Sequence, residues 1–196
     1  MFGPGWEQAC PSCSFLSDHI DGANVHLAHR DVMLLAVSRA PLVEIEAFKK
    51  RMGWRIKWVS SYENDFNRDY HVSFTKDEMA RGQVYYNYAM GEFPSEEAPG
   101  ASVFYKDEAG AIFHTYSAYA RGLDMLVGAY NYLDIVPKGR DEAELPWTMA
   151  WTGMATELVQ ALCRTSGDRS DLCCRTPARF GRASRRSDEV GEDDVG

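Results

Sequence analysis

The pair Cys10 and Cys13, in the segment Cys-Pro-Ser-Cys, constrains the fold and chemistry of this 196-residue chain more than any other feature. Residues 11–29 carry apolar side chains at helical spacing, and Pro11 suits the first turn of a helix. The two cysteines are therefore predicted to lie one helical turn apart on one face. Free backbone N–H groups and the helix dipole favour a thiolate at the helix entrance. The spacing predicts a redox-active dithiol in which Cys10 is the nucleophile and Cys13 is the resolving thiol.

Alternating helices and strands are predicted downstream of this motif. The apolar run over 32–37 is typical of a strand that is covered on both faces of a parallel sheet. The other predicted elements are a helix that follows Ser38 and Pro41 and ends at Gly53, a strand over 56–60, a capping box from Thr75 to Glu78, a hairpin over 102–117 and a helix over 122–133. This order predicts an α/β layered fold with a mixed sheet.

The composition of the chain changes near residue 151. Residues 1–151 are rich in aromatic side chains and show clear periodicity, as expected of an ordered domain. Residues 152–196 are dominated in their later part by Arg, Ser, Asp and Gly, with few large apolar side chains. Such a segment cannot bury enough apolar surface to offset its ordering entropy. The sequence therefore predicts one domain followed by a disordered tail.

Charge and composition also bear on partners and compartment. The formal net charge of −8 argues against nucleic acid and anionic membranes as general partners. No apolar run approaches the roughly 20 residues that span a bilayer, and the first residues do not match a secretory signal. These observations predict a cytoplasmic protein, and in the cytoplasm a close cysteine pair favours catalysis or metal binding over a structural disulfide. The five cysteines, an odd and scattered set, do not form a disulfide framework.

Other interpretations of the motif remain open at this point. Cys10, Cys13, His26 and His29 nearly match the spacing of a zinc finger. However, a continuous helix would separate Cys13 from His26 by roughly 20 Å. A peroxiredoxin-like thiol peroxidase is less favoured because Glu7, rather than Ser or Thr, lies three residues before Cys10. Two ordinary buried thiols are the simplest alternative.

Several segments of the chain resemble a bacterial family filed as domain of unknown function 899 and described as predicted dithiol-disulfide oxidoreductases of thioredoxin-like fold. They are FGPGWEQACPSCSF (2–15), AVSRAP (36–41), FKKRMGW (48–54), WVSS (58–61), YNY (86–88), PSEE (94–97), SVFYKDE (102–108) and YARGLDML (119–126). The resemblance covers residues 1 to about 151. It implies a thioredoxin-like fold, with Cys10 and Cys13 as the redox pair. Such an enzyme needs no bound cofactor and relies on a dithiol or disulfide protein, or on a small thiol, as its partner.

The resemblance also implies a central strand directly before the CxxC helix. Only nine residues precede Cys10, and Gly3, Pro4 and Gly5 make a poor strand. We therefore expect an incomplete thioredoxin-like domain that lacks its first, central strand. A homodimer is one way to cover the sheet edge that this would expose. A truncated, non-catalytic protein is accordingly the main alternative function.

Overall fold

The computed structural model describes residues 2–152, and within this range the chain is an α/β protein, as predicted. The predicted tail, which includes Cys163, Cys173 and Cys174, lies outside the described residues except for Thr152. The helices are α1 (Pro11–Ala28), α2 (Leu42–Met52), α3 (Phe66–Asp69), α4 (Lys76–Ala80) and α5 (Gly128–Leu133). The strands are β1 (Leu35–Ser38), β2 (Lys57–Ser60), β3 (Val84–Tyr86), β4 (Ala89–Gly91), β5 (Gly100–Lys106) and β6 (Ile112–Tyr119). None of the helices within residues 2–152 has the length and apolar character needed to cross a membrane.

Helix α1 begins where the sequence predicts. Pro11 occupies its first turn, and the first intrahelical hydrogen bond runs from the Ser14 N–H to the Cys10 carbonyl at 2.9 Å. Proline is favoured there because its missing N–H would have no helical partner and its φ is already helical. The helix continues without a break through Gly22 and ends at Ala28.

Strands β1 and β2 form a parallel pair that is joined through α2. Leu35 lies opposite Lys57, and Ser38 lies opposite Ser60. Gly53 ends α2 in the left-handed conformation, with φ 73°, as the sequence predicts. The predicted burial of β1 on both faces is wrong, because Leu35 is exposed, as are Val32 and Met33 before it. Within residues 2–152 β1 pairs only with β2.

The remaining strands form two antiparallel hairpins, β3–β4 and β5–β6. Parallel and antiparallel pairing therefore both occur, but in three separate two-stranded sheets across the described residues rather than in one mixed sheet. The hairpin predicted over 102–117 is confirmed, since Gly100 pairs with Tyr119 and Lys106 with Ile112. No strand forms between Phe2 and Cys10.

Aromatic side chains dominate the buried clusters that hold these elements together. In the first cluster Phe2 packs on Phe48 and Trp58 with ring centroids 5.2 and 6.0 Å apart, and the Phe2 carbonyl accepts a hydrogen bond from the Ala40 N–H. In the second, Phe15 of α1 meets Tyr130 of α5 edge-to-face at 5.9 Å. A third cluster surrounds Phe74, Val84 and Ala98. The N-terminal segment is thus fixed to the parallel pair, and α1 is fixed to α5.

The helix predicted over 122–133 is divided in the structure. A 3₁₀-helical segment covers Ala120–Leu126, and α5 follows from Gly128. Between them Val127 adopts an extended conformation, with φ −103° and ψ 96°, and its side chain is buried against the second cluster. The helical segment is therefore interrupted at the position where Val127 is buried. The capping box at Thr75 and Glu78 is confirmed at the start of α4, with both reciprocal hydrogen bonds present.

Candidate dithiol site

The two cysteines of the motif lie together at the N-terminal end of α1. Cys10 is the residue that caps the helix, and Cys13 lies in the first turn. Both are free thiols with partly buried side chains. The Cys13 thiol is within hydrogen-bonding distance of the Cys10 sulfur, and the backbone N–H groups of Ser12 and Cys13 also point to that sulfur. The first turn of the helix thus surrounds the Cys10 sulfur with donors.

This arrangement shifts the acidities of the two thiols in opposite directions. The hydrogen bond from the Cys13 thiol lowers the pKa of Cys10 to about 5, and the backbone N–H groups act in the same direction against the effect of burial. The same hydrogen bond raises the pKa of Cys13 well above its ordinary value, and burial and the negative charge of Cys10 raise it further. At neutral pH the site therefore holds one thiolate and one thiol.

Tyr86 of the β3–β4 hairpin lies near this pair, a position that the sequence analysis did not foresee. Its hydroxyl donates to the Pro99 carbonyl and accepts from the Ala120 N–H, both at 2.8 Å. Burial raises the pKa of Tyr86 to about 12, and the negative charge of Cys13 contributes to the increase. Tyr86 therefore remains a neutral phenol that ties the segment before β5 to the segment after β6. The only trace in the sequence is the aromatic run at 85–88.

The segment that leads into Cys10 is shaped by Trp6 and Gly3. The Trp6 ring covers Gly3 so closely that a Cβ atom at Gly3 would lie 2.8 Å from the indole nitrogen. The backbone N–H of Trp6 donates a hydrogen bond to the Gly3 carbonyl at 3.3 Å, which closes a turn. The Trp6 ring packs against the first buried cluster. A side chain at position 3 would thus displace the Trp6 ring, which packs over the chain on its path towards Cys10.

The geometry of α1 argues against the zinc-finger interpretation. Because the helix is continuous from Pro11 to Ala28, Cys13 and His26 lie thirteen residues apart, or roughly 20 Å along its axis. One metal ion cannot contact both side chains over that distance. Elsewhere in the range 2–152, no three His, Cys, Asp or Glu side chains come together in a way that suits a metal ion.

A buried carboxylate lies at the carboxyl ends of the parallel strands. Glu97, only 3% exposed, accepts hydrogen bonds from Arg39 at 2.8 Å, Ser73 at 2.6 Å and Asn67 at 3.4 Å. Ser61 donates to the Asn67 side chain at 2.7 Å. Arg39 follows β1 and Ser61 follows β2, so the network joins the segment before β5 to the parallel pair. Arg39 is thus ion-paired with Glu97.

Comparison with known protein families identifies the family of this chain. The profile of a bacterial family, described as "Bacterial protein of unknown function (DUF899)", matches residues 1–157. The chain belongs to this family. Its description names no activity, so the thioredoxin-like fold and the dithiol role stay predictions. No curated protein and no solved structure matches the chain.

Alkylation of Cys10 by iodoacetamide should depend on pH with a midpoint at about 5, because only the thiolate reacts and the pKa of Cys10 is lowered to that value. For an ordinary cysteine the midpoint of alkylation would be at a pH of about 8.5. Rates are measured by mass spectrometry on the tryptic peptide that ends at Arg30, which contains Cys10 and Cys13. In Cys13→Ala, which removes the donor thiol, the midpoint should move up towards the ordinary value. An unchanged midpoint in that variant would contradict the assigned hydrogen bond.

Proposed function

We propose that this chain is a thiol–disulfide oxidoreductase in which Cys10 attacks and Cys13 resolves. The observation that carries the proposal is the pair of adjacent thiols with opposite shifts in pKa at the start of α1. An exchange reaction needs one thiol that is ionised at neutral pH and a second that stays protonated until the first has reacted. Two unrelated buried thiols would have no reason to differ in this way.

The reaction proceeds in two displacements at sulfur. The Cys10 thiolate attacks one sulfur of a substrate disulfide, a mixed disulfide forms, and the other substrate sulfur leaves as a thiolate that takes up a proton. Cys10 is then neutral, so the hydrogen bond to its thiolate and its negative charge no longer raise the pKa of Cys13. Cys13 loses its proton and attacks the Cys10 sulfur, and the second substrate thiolate leaves. The substrate disulfide is reduced to two thiols, and Cys10 and Cys13 become a disulfide.

The scaffold around the pair supports this chemistry. Pro11 donates no hydrogen bond and fixes the first turn, so the Ser12 and Cys13 N–H groups stay aimed at the Cys10 sulfur. The proposed fold is thioredoxin-like, the proposed compartment is the bacterial cytoplasm, and the proposed partners are a dithiol or disulfide protein or a small thiol. No bound cofactor is needed, because an external dithiol regenerates the reduced pair. A homodimer is a further proposal for the exposed strand edges.

Equilibration in a series of glutathione redox buffers tests the function. We expect the tryptic peptide 1–30 to lose about 2 Da reversibly as Cys10 and Cys13 form a disulfide. This peptide contains no other cysteine, so the signal reports on the proposed pair alone. Free thiols are alkylated at each point before digestion, and circular dichroism confirms that the protein is folded. A folded protein whose peptide keeps both thiols across the whole series would refute the proposal.

A further inference from the structure

A small cleft of about 280 Å³ lies between the segment after α3, the β3–β4 hairpin and strand β6. Its aromatic side chains are Tyr70, His71, Tyr85, Tyr88, His114 and Tyr119. We call this site the tyrosine cleft. It is connected to the dithiol region through Tyr119, whose ring contacts that of Tyr86 at 5.7 Å. None of its lining residues belongs to the Cys10–Cys13 motif.

The rings of the tyrosine cleft are arranged as three edge-to-face pairs. Tyr88 meets Tyr119 at 5.4 Å, His71 meets Tyr85 at 4.7 Å, and Tyr70 meets His114 at 5.3 Å between centroids. Four tyrosine rings and two histidine rings thus line one concave surface. That environment attracts an organic cation whose charge is spread over an apolar surface.

The charge of the tyrosine cleft also favours a cation. Asp69 lies at its rim, and its exposed carboxylate makes no hydrogen bond or ion pair with any residue in the range 2–152. The cleft has no lysine or arginine in its lining. The Ser117 hydroxyl already contacts His114 Nε2 and the Ser102 hydroxyl, both at 2.8 Å. Asp69 therefore supplies the charge of the lining, and its sign favours a cation.

The hairpin turn between β3 and β4 places Tyr88 at the cleft through an uncommon backbone conformation. Asn87 and Tyr88, between β3 and β4, both have left-handed φ values of 52° and 63°. A turn of this type favours Asn-Gly, and a tyrosine at the glycine position is sterically costly. Yet the Tyr88 side chain is 66% exposed, so burial does not explain its presence. Its hydroxyl donates to the Ser117 carbonyl at 3.1 Å, which holds the ring at the cleft. Strained residues of this kind collect at binding sites.

We propose that the tyrosine cleft binds a small organic cation with a quaternary ammonium group. The rings of Tyr85, Tyr88 and Tyr119 surround the cation, and Asp69 supplies the opposite charge. This site is separate from the dithiol, and the proposal does not depend on the redox function.

Calorimetric titration of the full chain with choline, and with its neutral isostere 3,3-dimethylbutan-1-ol, tests the proposal directly. We expect choline to bind at least about tenfold more tightly, because only the charge differs between the two probes. Both probes are titrated in the same buffer at the same pH. In Asp69→Asn the affinity for choline should fall about fivefold or more. Equal affinity for the two probes, or no binding of choline up to about 50 mM, would overturn the proposal.

The variant Tyr88→Gly separates binding from folding. Glycine suits the left-handed turn, so the melting temperature should be unchanged or higher. The affinity for choline should nevertheless fall about tenfold, because one ring of the cleft is lost. Tyr132→Ala is the matched control: Tyr132 is an exposed tyrosine of α5, outside the cleft, and its loss should leave choline binding intact. Wild-type affinity in a folded Tyr88→Gly protein would show that the cleft is not a cation site.

Discussion

Replacing Cys10 by serine is expected to lower the rate of exchange with glutathione disulfide by more than about a thousandfold at neutral pH. The reason is the ionisation of the attacking group. Cys10, with its pKa lowered to about 5, is almost entirely a thiolate at pH 7, whereas a serine hydroxyl stays protonated. The remaining thiol, Cys13, does not replace it as the attacking group, because burial raises the pKa of Cys13 even when the charge of Cys10 is absent.

Cys13→Ser is the matched control for that experiment. Cys10 can still attack in this variant, but no thiol is present to resolve the mixed disulfide. The tryptic peptide 1–30 should therefore accumulate one glutathione, an increase of about 305 Da, while the same peptide from Cys10→Ser stays unmodified. If Cys10→Ser instead accumulates glutathione on Cys13 at the rate seen on Cys10, the assigned order of attack is wrong.

Replacing Glu97 by alanine is expected to lower the free energy of unfolding by about 3–5 kcal/mol. The carboxylate is buried, and its removal leaves Arg39, Ser73 and Asn67 without their common acceptor. A buried donor without a partner costs more than the hydrogen bond itself contributed. Urea denaturation followed by circular dichroism measures the change. A loss of this size is a large fraction of the roughly 5–15 kcal/mol by which a domain is stable.

Glu96→Ala is the neighbouring control for the buried glutamate. Glu96 is exposed, so its replacement should change the free energy of unfolding by no more than about 0.5 kcal/mol. Ser73→Ala gives a milder probe of the same network if Glu97→Ala fails to fold, with an expected loss of about 1–3 kcal/mol. If Glu97→Ala or Ser73→Ala lowers the free energy of unfolding no more than Glu96→Ala does, the network does not stabilise the fold.

The parts of the fold that the sequence predicted are those with local causes. Pro11 marks the start of α1 because its ring fits only the first turn of a helix. Gly53 ends α2 because only glycine adopts φ 73° without cost. Thr75 and Glu78 begin α4 through contacts three residues apart. The closeness of Cys10 and Cys13 was predictable for the same reason, since a single helical turn separates them.

Features that depend on contacts between distant segments were not predictable from one sequence. Glu97 lies 58 positions from Arg39, and no local pattern distinguishes it from its exposed neighbour Glu96. The exposure of Leu35 in β1 depends on which elements pack against the faces of the strand, and its own apolar run cannot show this. The tyrosine cleft brings together residues from 69 to 119. In each case the sequence contains the residues, but tertiary packing determines which of them are in contact.

Each strand within residues 2–152 pairs with only one other strand, and this affects how the chain can interact with other molecules. On β1 and on β5, the main-chain amides and carbonyls of one edge have no strand partner within residues 2–152. The apolar side chains of Val103 and Tyr105 on β5 are exposed as well. Such a row is a template on which any extended peptide can add as a further strand. An extended peptide that adds there would satisfy these main-chain groups, whereas the net charge of −8 opposes the approach of a second copy of the chain.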